Sequence, residues 1–112
     1  DLIKRYDDHD GYDSFNNHKE MITQILETVI KDGKGIEINT AGLKYGMTEP
    51  NPCLDIVKMY HDLGGEIITV GSDAHEVKFF AYRFDVVADM LKNAGFNYYT
   101  IFNERKPEFI RL

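Results

Sequence analysis

The sequence predicts an α/β fold in which parallel strands alternate with helices. Three segments carry apolar residues at helical spacing, and a short strand-like run follows each of them. The strand-like runs lie about 30 residues apart, which is the spacing of consecutive βαβ units. Parallel strands need such long crossovers, so the order of elements favours a parallel sheet covered by helices.

The first helix and strand are predicted between residues 16 and 39. Apolar residues at helical spacing indicate a helix of about 14 residues, with Asn16 or Asn17 as its N-cap and Gly33 as its end. The segment IEINTAG then predicts a short strand through Asn39, followed by a polar loop.

Two further helix–strand pairs follow. Asn51 can cap the second helix, Pro52 suits its first turn, and the pair Gly64-Gly65 ends it before the strand EIITVG. The third helix ends at Gly95 and precedes the strand NYYTIF. Residues 72–82 are predicted to be a loop.

Composition excludes several functional classes. The chain has 112 residues, 43% of them apolar, and a net charge of −6, so it suits a packed domain and argues against nucleic acid as a partner. Cys53 is the sole cysteine, which favours a reducing, cytoplasmic setting. No apolar run approaches the roughly 18 residues of a membrane span, so a membrane partner is not expected.

The predicted sheet is too small to be a complete parallel α/β fold. Three or four parallel strands leave two open edges, and parallel sheets are normally covered on both faces. We therefore expect a slice of a closed (β/α) barrel, or of a larger doubly wound sheet. The missing initiator Met before Asp1 also indicates a piece of a longer protein. Open edges would offer such a piece a route to self-association.

Polar residues follow the predicted strands, at the edge where parallel α/β proteins bind ligands. Asp73 and His75 follow EIITVG, and their donor types suit Zn, Mn or Fe better than Ca or Mg. Arg5, Lys44 and Arg105 would add positive charge at the same edge. The pattern fits an anionic substrate beside a metal, although a turn capped by Asp73 with a merely adjacent His75 remains the alternative.

Two other residues have simpler interpretations. Glu37 lies inside a strand and is predicted either to face solvent or to pair with a cation near this edge, because an unpaired buried carboxylate is costly. Cys53 lies near a helix start and is predicted to be a small core residue, since no His has a position that suggests an activating partner.

Four segments of the chain carry a resemblance: DLIKRY (1–6), GIEINTAGLKYG (35–46), LGGEIITVGSDAH (63–75) and LKNAGFNYYTIFNERKP (91–107). In this order and spacing they resemble the carboxyl-terminal part of histidinol-phosphatases of the polymerase-and-histidinol-phosphatase (PHP) superfamily. The resemblance implies that residues 1–112 are the carboxyl-terminal slice of one TIM-like (β/α)7 PHP barrel. It also implies that Asp73 and His75 are metal ligands.

The resemblance implies a metal-dependent phosphomonoesterase that hydrolyses L-histidinol phosphate in histidine biosynthesis. Its cofactors would be several divalent metals, drawn from Zn, Fe and Mn, and its partner a small phosphate ester. Arg5 and Lys44 are expected to contact the phosphate, with Tyr6 and Ser72 as hydrogen-bond donors. No catalytic residue is expected beyond the metal ligands.

The chain departs from the family pattern because the amino-terminal His-x-His motif and the middle Glu and His ligands are absent. An isolated 112-residue polypeptide is therefore expected to be inactive. Two alternatives stay open: a phosphoesterase of the same superfamily with another substrate, and a noncatalytic partial-barrel module.

Overall fold

Two small sheets organise the chain, which a computed structural model describes over residues 13–112. Strand β1 (Ile36–Asn39) pairs in parallel with β2 (Ile68–Gly71), with Ile36 opposite Ile68 and Asn39 opposite Gly71. Strand β3 (Tyr98–Asn103) pairs with β4 (Lys106–Arg111) in an antiparallel hairpin. The predicted mixed α/β class and its first parallel pair are confirmed.

The described residues form five α-helices and one 3₁₀ turn. These are α1 (Ser14–Asn17), α2 (Lys19–Lys31), α3 (Ala41–Lys44), α4 (Leu54–Asp62), the 3₁₀ turn Val77–Phe79 and α5 (Phe84–Asn93). The short helix α3 and the crossover helix α4 lie between β1 and β2. No helix within this part of the chain is long and apolar enough to cross a membrane.

The predicted N-cap of the first helix was wrong. Asp13 caps the short helix α1: its carboxylate accepts hydrogen bonds from Asn16 N at 3.1 Å and Asn16 Nδ2 at 2.6 Å. Asn16 and Asn17 therefore lie inside α1, and the long helix starts after His18. Its predicted end is confirmed, because Gly33 follows the helix with a φ of 63°, a conformation that glycine adopts readily.

The predicted start of the second long helix was also wrong. Cys53 is the N-cap of α4, and Asn51 precedes it across a cis peptide bond to Pro52. Asn51 instead forms an antiparallel bridge with Asn39, with N–O distances of 2.9 and 2.6 Å. The bridge ties the segment before α4 to the end of β1, and local helix-start signals do not report such a long-range pairing.

The third predicted strand exists, but its placement in a parallel ladder was wrong. A two-residue turn, Glu104 and Arg105, returns the chain to form β4, and both turn residues have positive φ angles (48° and 67°). This is the geometry of a tight hairpin turn. Strand β2 meets β3 through a side chain, since Ile68 N donates to Thr100 Oγ1 at 3.2 Å.

The core lies between the parallel strands and the long helices. Its fully buried aliphatic members are Ile38, Val57, Ile68, Val87 and Leu91. Cys53 is buried among them, as predicted. Ile38 of β1 and Ile68 of β2 are inaccessible to solvent, so the parallel strand pair packs within the core.

Burial of Tyr60 makes the unfolding free energy depend on pH. It is buried, its hydroxyl donates to Ile67 O at 2.9 Å, and desolvation by burial raises the pKa of its phenol above the ordinary 10.0, with a smaller contribution from the charge of Glu66. The contribution of the neutral phenol to the unfolding free energy is therefore fully present below about pH 10. It is lost as the pH rises through the pKa of the folded state.

We expect Tyr60→Phe to cost about 1 kcal/mol of unfolding free energy near pH 7 and to flatten the alkaline loss of stability. Urea unfolding at several pH values measures both effects. Tyr45→Phe is the matched control, because Tyr45 is 85% exposed. Equal changes in unfolding free energy and in its alkaline pH dependence in the two variants would contradict the assignment of these effects to Tyr60.

Candidate metal-ligand site at the end of the second strand

The motif GSDAH leaves the core directly after β2. Gly71 ends the strand, Ser72 is only 8% exposed, and Asp73 emerges with a φ of 46°. Aspartate is one of the few non-glycine residues that tolerate this left-handed conformation. The turn thus takes the chain from a buried position to an exposed one within two residues.

Asp73 and His75 each have a side-chain atom that can bind a metal, and the two atoms lie close together. His75 Nε2 lies 3.5 Å from Asp73 Oδ1, and the two side chains are 87% and 61% exposed. Two ligands of a tetrahedral zinc ion at ordinary bond lengths are separated by about 3.3 Å. A carboxylate oxygen and an imidazole nitrogen at this separation fit the adjacent ligands of one divalent transition metal.

The pair needs further ligands. Among residues 13–112, no group of three His, Cys, Asp or Glu side chains is arranged to hold a metal ion. A catalytic metal normally takes at least three protein ligands or shares ligands with a second metal. A metal held by Asp73 and His75 would therefore need further ligands from outside residues 13–112.

Lys44, a predicted phosphate contact, lies beside this pair. It ends α3, the short helix after β1, and its Nζ donates to Asp73 O at 3.1 Å. The same ammonium lies 5.0 Å from the ring centroid of Phe79. The hydrogen bond joins the loops after the two parallel strands, so Lys44 and the predicted ligands sit at one edge of the sheet.

A polar cleft of about 760 Å³ opens at this edge. Its lining includes Glu37, Asn39, Asn51 and Asp73. Glu37 is exposed and accepts from Asn39 Nδ2 at 3.3 Å, as expected for a carboxylate facing solvent. The buried Asn51 Oδ1 has no hydrogen-bond partner among the described residues. Sequence patterns did not reveal Asn51 as a lining residue, because the bridge to Asn39 brings it there.

The structure describes four of the six residues predicted to form the site. Lys44, Asp73 and His75 lie together, and the buried Ser72 precedes Asp73 in the chain. Arg5 and Tyr6 lie outside the described residues. Arg105, expected at the same edge, lies in the β3–β4 turn, so a hairpin positions it and not the end of a parallel strand.

These observations define a mixed α/β chain with an Asp–His pair and a lysine at the carboxyl end of parallel strands. The sequence is also similar to proteins that are named as histidinol-phosphatases. The chain is 43% identical over 88 residues to the probable histidinol-phosphatase of Thermotoga maritima, a match covering 78% of this chain and 37% of that protein. No family model matches the chain.

Two other relatives are also named as histidinol-phosphatases. The probable histidinol-phosphatase of Clostridium acetobutylicum is 32% identical over 96 residues, covering 85% of this chain and 37% of that protein. The histidinol-phosphatase of Lactococcus lactis is 29% identical over 107 residues, covering 95% and 39% respectively. The resemblance of this chain to histidinol-phosphatases is therefore confirmed. The chain spans less than two-fifths of the length of these curated relatives.

Proposed function

We propose that this chain is the carboxyl-terminal slice of a PHP barrel and carries part of the active site of a metal-dependent phosphomonoesterase. The substrate is L-histidinol phosphate, and the products are L-histidinol and phosphate. The similarity to three histidinol-phosphatases is the observation that carries the proposal. The donor pair 3.5 Å apart beside an ammonium group gives it a chemical basis.

In this proposal, Asp73 and His75 supply two of the ligands of a multinuclear centre containing Zn, Fe or Mn. Such a centre, when bound, lowers the pKa of a coordinated water and neutralises charge on the phosphoryl group. Carboxylate oxygen and imidazole nitrogen are donor types that suit these metals. The remaining ligands come from a part of the protein outside this chain, so the isolated chain is expected to lack turnover.

Lys44 binds the phosphoryl oxygens in this proposal, and Ser72, Arg5 and Tyr6 provide further contacts. An ammonium group carries three donors, and the carbonyl of Asp73 takes one of them. No carboxylate of the described residues lies within ion-pair distance of Lys44. Its charge is therefore available to an anionic ligand.

The polar cleft beside Asp73 would receive the organic part of the ester. Its lining carboxylate, Glu37, is an exposed hydrogen-bond acceptor, which suits the ammonium and hydroxyl donors of an amino alcohol. A single cysteine cannot form an internal disulfide and favours a reducing, cytoplasmic setting, and the net charge of −6 favours a small-molecule substrate over nucleic acid.

Turnover by the full-length protein tests this proposal. We expect hydrolysis of histidinol phosphate with a kcat/KM at least about a hundredfold above that for nucleotides and sugar phosphates, because the polar lining distinguishes the organic groups. Chelation should abolish the activity and addition of Zn, Mn or Fe should restore it.

Other outcomes separate the alternatives. Preference for another ester with the same metal dependence would keep the phosphoesterase class and change the substrate. A full-length protein that binds no metal and hydrolyses no phosphate ester would support the noncatalytic module.

A further inference from the structure

We propose that Phe79 is a positioning residue whose ring fixes the Lys44 ammonium beside the metal-ligand loop. This inference rests on the proposed function, because it assigns a role to Phe79 through the predicted phosphate contact. Phe79 belongs to the 3₁₀ turn that follows the ligand loop and is partly buried. It is not a predicted ligand or substrate contact.

Lys44 needs such support because its ammonium is a point charge on a flexible four-carbon stem. One hydrogen bond, to Asp73 O at 3.1 Å, limits its position without fixing the whole side chain. The Phe79 centroid lies 5.0 Å from Lys44 Nζ, within the roughly 6 Å range of a cation–π contact. Carbonyl and ring together hold the charge at a defined place next to Asp73.

The ring is itself held in place. Tyr82 packs against it edge to face, with centroids 5.5 Å apart and an interplanar angle of 89°. Edge-to-face packing is a preferred arrangement of aromatic pairs. The 3₁₀ turn thus presents a supported aromatic surface to Lys44.

A second ammonium near the ring is already paired. Lys78 Nζ lies 4.9 Å from the Phe79 centroid, but it also lies 2.8 Å from Glu76 Oε2. Its charge is compensated by that carboxylate. Of the two described lysines at this ring, Lys44 is therefore the one suited to bind an anion.

The consequence is preorganisation of the anion site. Asp73 carries a predicted metal-ligand side chain and also the carbonyl that binds Lys44. A phosphate that meets a metal at Asp73 would thus meet a positive charge already in position, with less ordering cost on binding. Removing the aromatic face should weaken phosphate binding and leave the chemistry of the bound state largely unchanged.

The test compares Phe79→Leu and Phe79→Met with Phe79→Tyr in the full-length metal-loaded protein. Both ring-free variants should raise the Kd for inorganic phosphate, measured by calorimetry, and the KM for histidinol phosphate by roughly two- to fivefold. The kcat should stay within about twofold, and Phe79→Tyr should behave like the wild type. Phe80→Leu is the matched control, because the neighbouring Phe80 is 83% exposed.

A double-mutant cycle separates positioning from a general structural role. In a Lys44→Met background, Phe79→Leu should have no further effect on the Kd for phosphate, because the ring then has no ammonium to hold. An undiminished effect in that background would overturn the inference. So would equal effects of Phe79→Leu and Phe80→Leu, or wild-type affinity in both ring-free variants.

The phosphate-binding measurement also separates this inference from the proposed function. A wild-type protein that binds phosphate but does not hydrolyse histidinol phosphate would contradict the proposed substrate. The Kd values of the Phe79 variants for inorganic phosphate would still decide the role of Phe79. Thermal unfolding of each variant identifies any loss of affinity caused by a loss of folded protein.

Discussion

Replacement of Asp73 by asparagine in the full-length protein is expected to lower kcat/KM for histidinol phosphate by roughly 10²–10⁴. Metal-assisted stabilisation of a phosphoryl-transfer transition state is worth several kcal/mol, and each 1.4 kcal/mol is about tenfold in rate. Asparagine keeps the size of the side chain but removes the negative charge with which Asp73 would bind the proposed metal. It also tolerates the left-handed backbone at this position, where φ is 46°, so the fold should persist.

Steady-state kinetics and metal analysis of the purified protein measure this effect. Asp89→Asn is the control, because Asp89 is an exposed carboxylate on α5. The Asp73 variant should lose bound metal and activity while its circular dichroism stays unchanged. Activity within a few-fold of the wild type would remove Asp73 from the site.

The second large effect concerns stability. Replacement of Gly35 by alanine is expected to cost about 2–3 kcal/mol of unfolding free energy. A Cβ at Gly35 would overlap the carbonyl oxygen and the side chain of Ile67. That carbonyl also accepts a hydrogen bond from Ile36 N at 3.1 Å, at the start of the parallel pair. The two segments that enter β1 and β2 would have to separate.

Gly33→Ala is the matched control for this prediction. Gly33 has a φ of 63°, but a Cβ there would meet nothing within 4 Å, so its cost is limited to the backbone penalty of about 1 kcal/mol. Urea unfolding of the two variants gives the comparison. A smaller effect at Gly35 than at Gly33 would show that the backbones are not in close contact at Ile67.

Local sequence patterns predicted the elements whose signals are contained within a few residues. Strand β2 and the carboxyl-terminal ends of the long helices follow from β-formers, glycines and apolar spacing. The position of the Asp-x-His motif after β2 was predicted for the same reason. The buried position of Cys53 was predicted because no nearby His suggested an activating partner. Each of these features depends on neighbours in the sequence.

The parallel pairing of β1 and β2 was predicted, but two other features that depend on distant residues were not. The hairpin partner β4 was missed, because its charged, proline-containing sequence has little strand pattern and its pairing depends on positive φ angles at Glu104 and Arg105. The pairing of Asn39 with Asn51 replaced an expected helix cap. In both cases, backbone hydrogen bonds to another segment outweighed local propensity.

The sequence by itself determined the chemical character of this chain: alternating helices and strands, an Asp-x-His motif after a buried strand, and similarity to histidinol-phosphatases. Only the tertiary structure decided that Lys44 binds the carbonyl of Asp73, and that Phe79 supports the same ammonium. The Asp-x-His motif can be recognised in the sequence because its two residues lie within three positions of the chain. The sequence also placed Lys44 at this edge, but not its hydrogen bond to Asp73 O, because the parallel pairing of β1 and β2 brings together two segments that are separated along the chain.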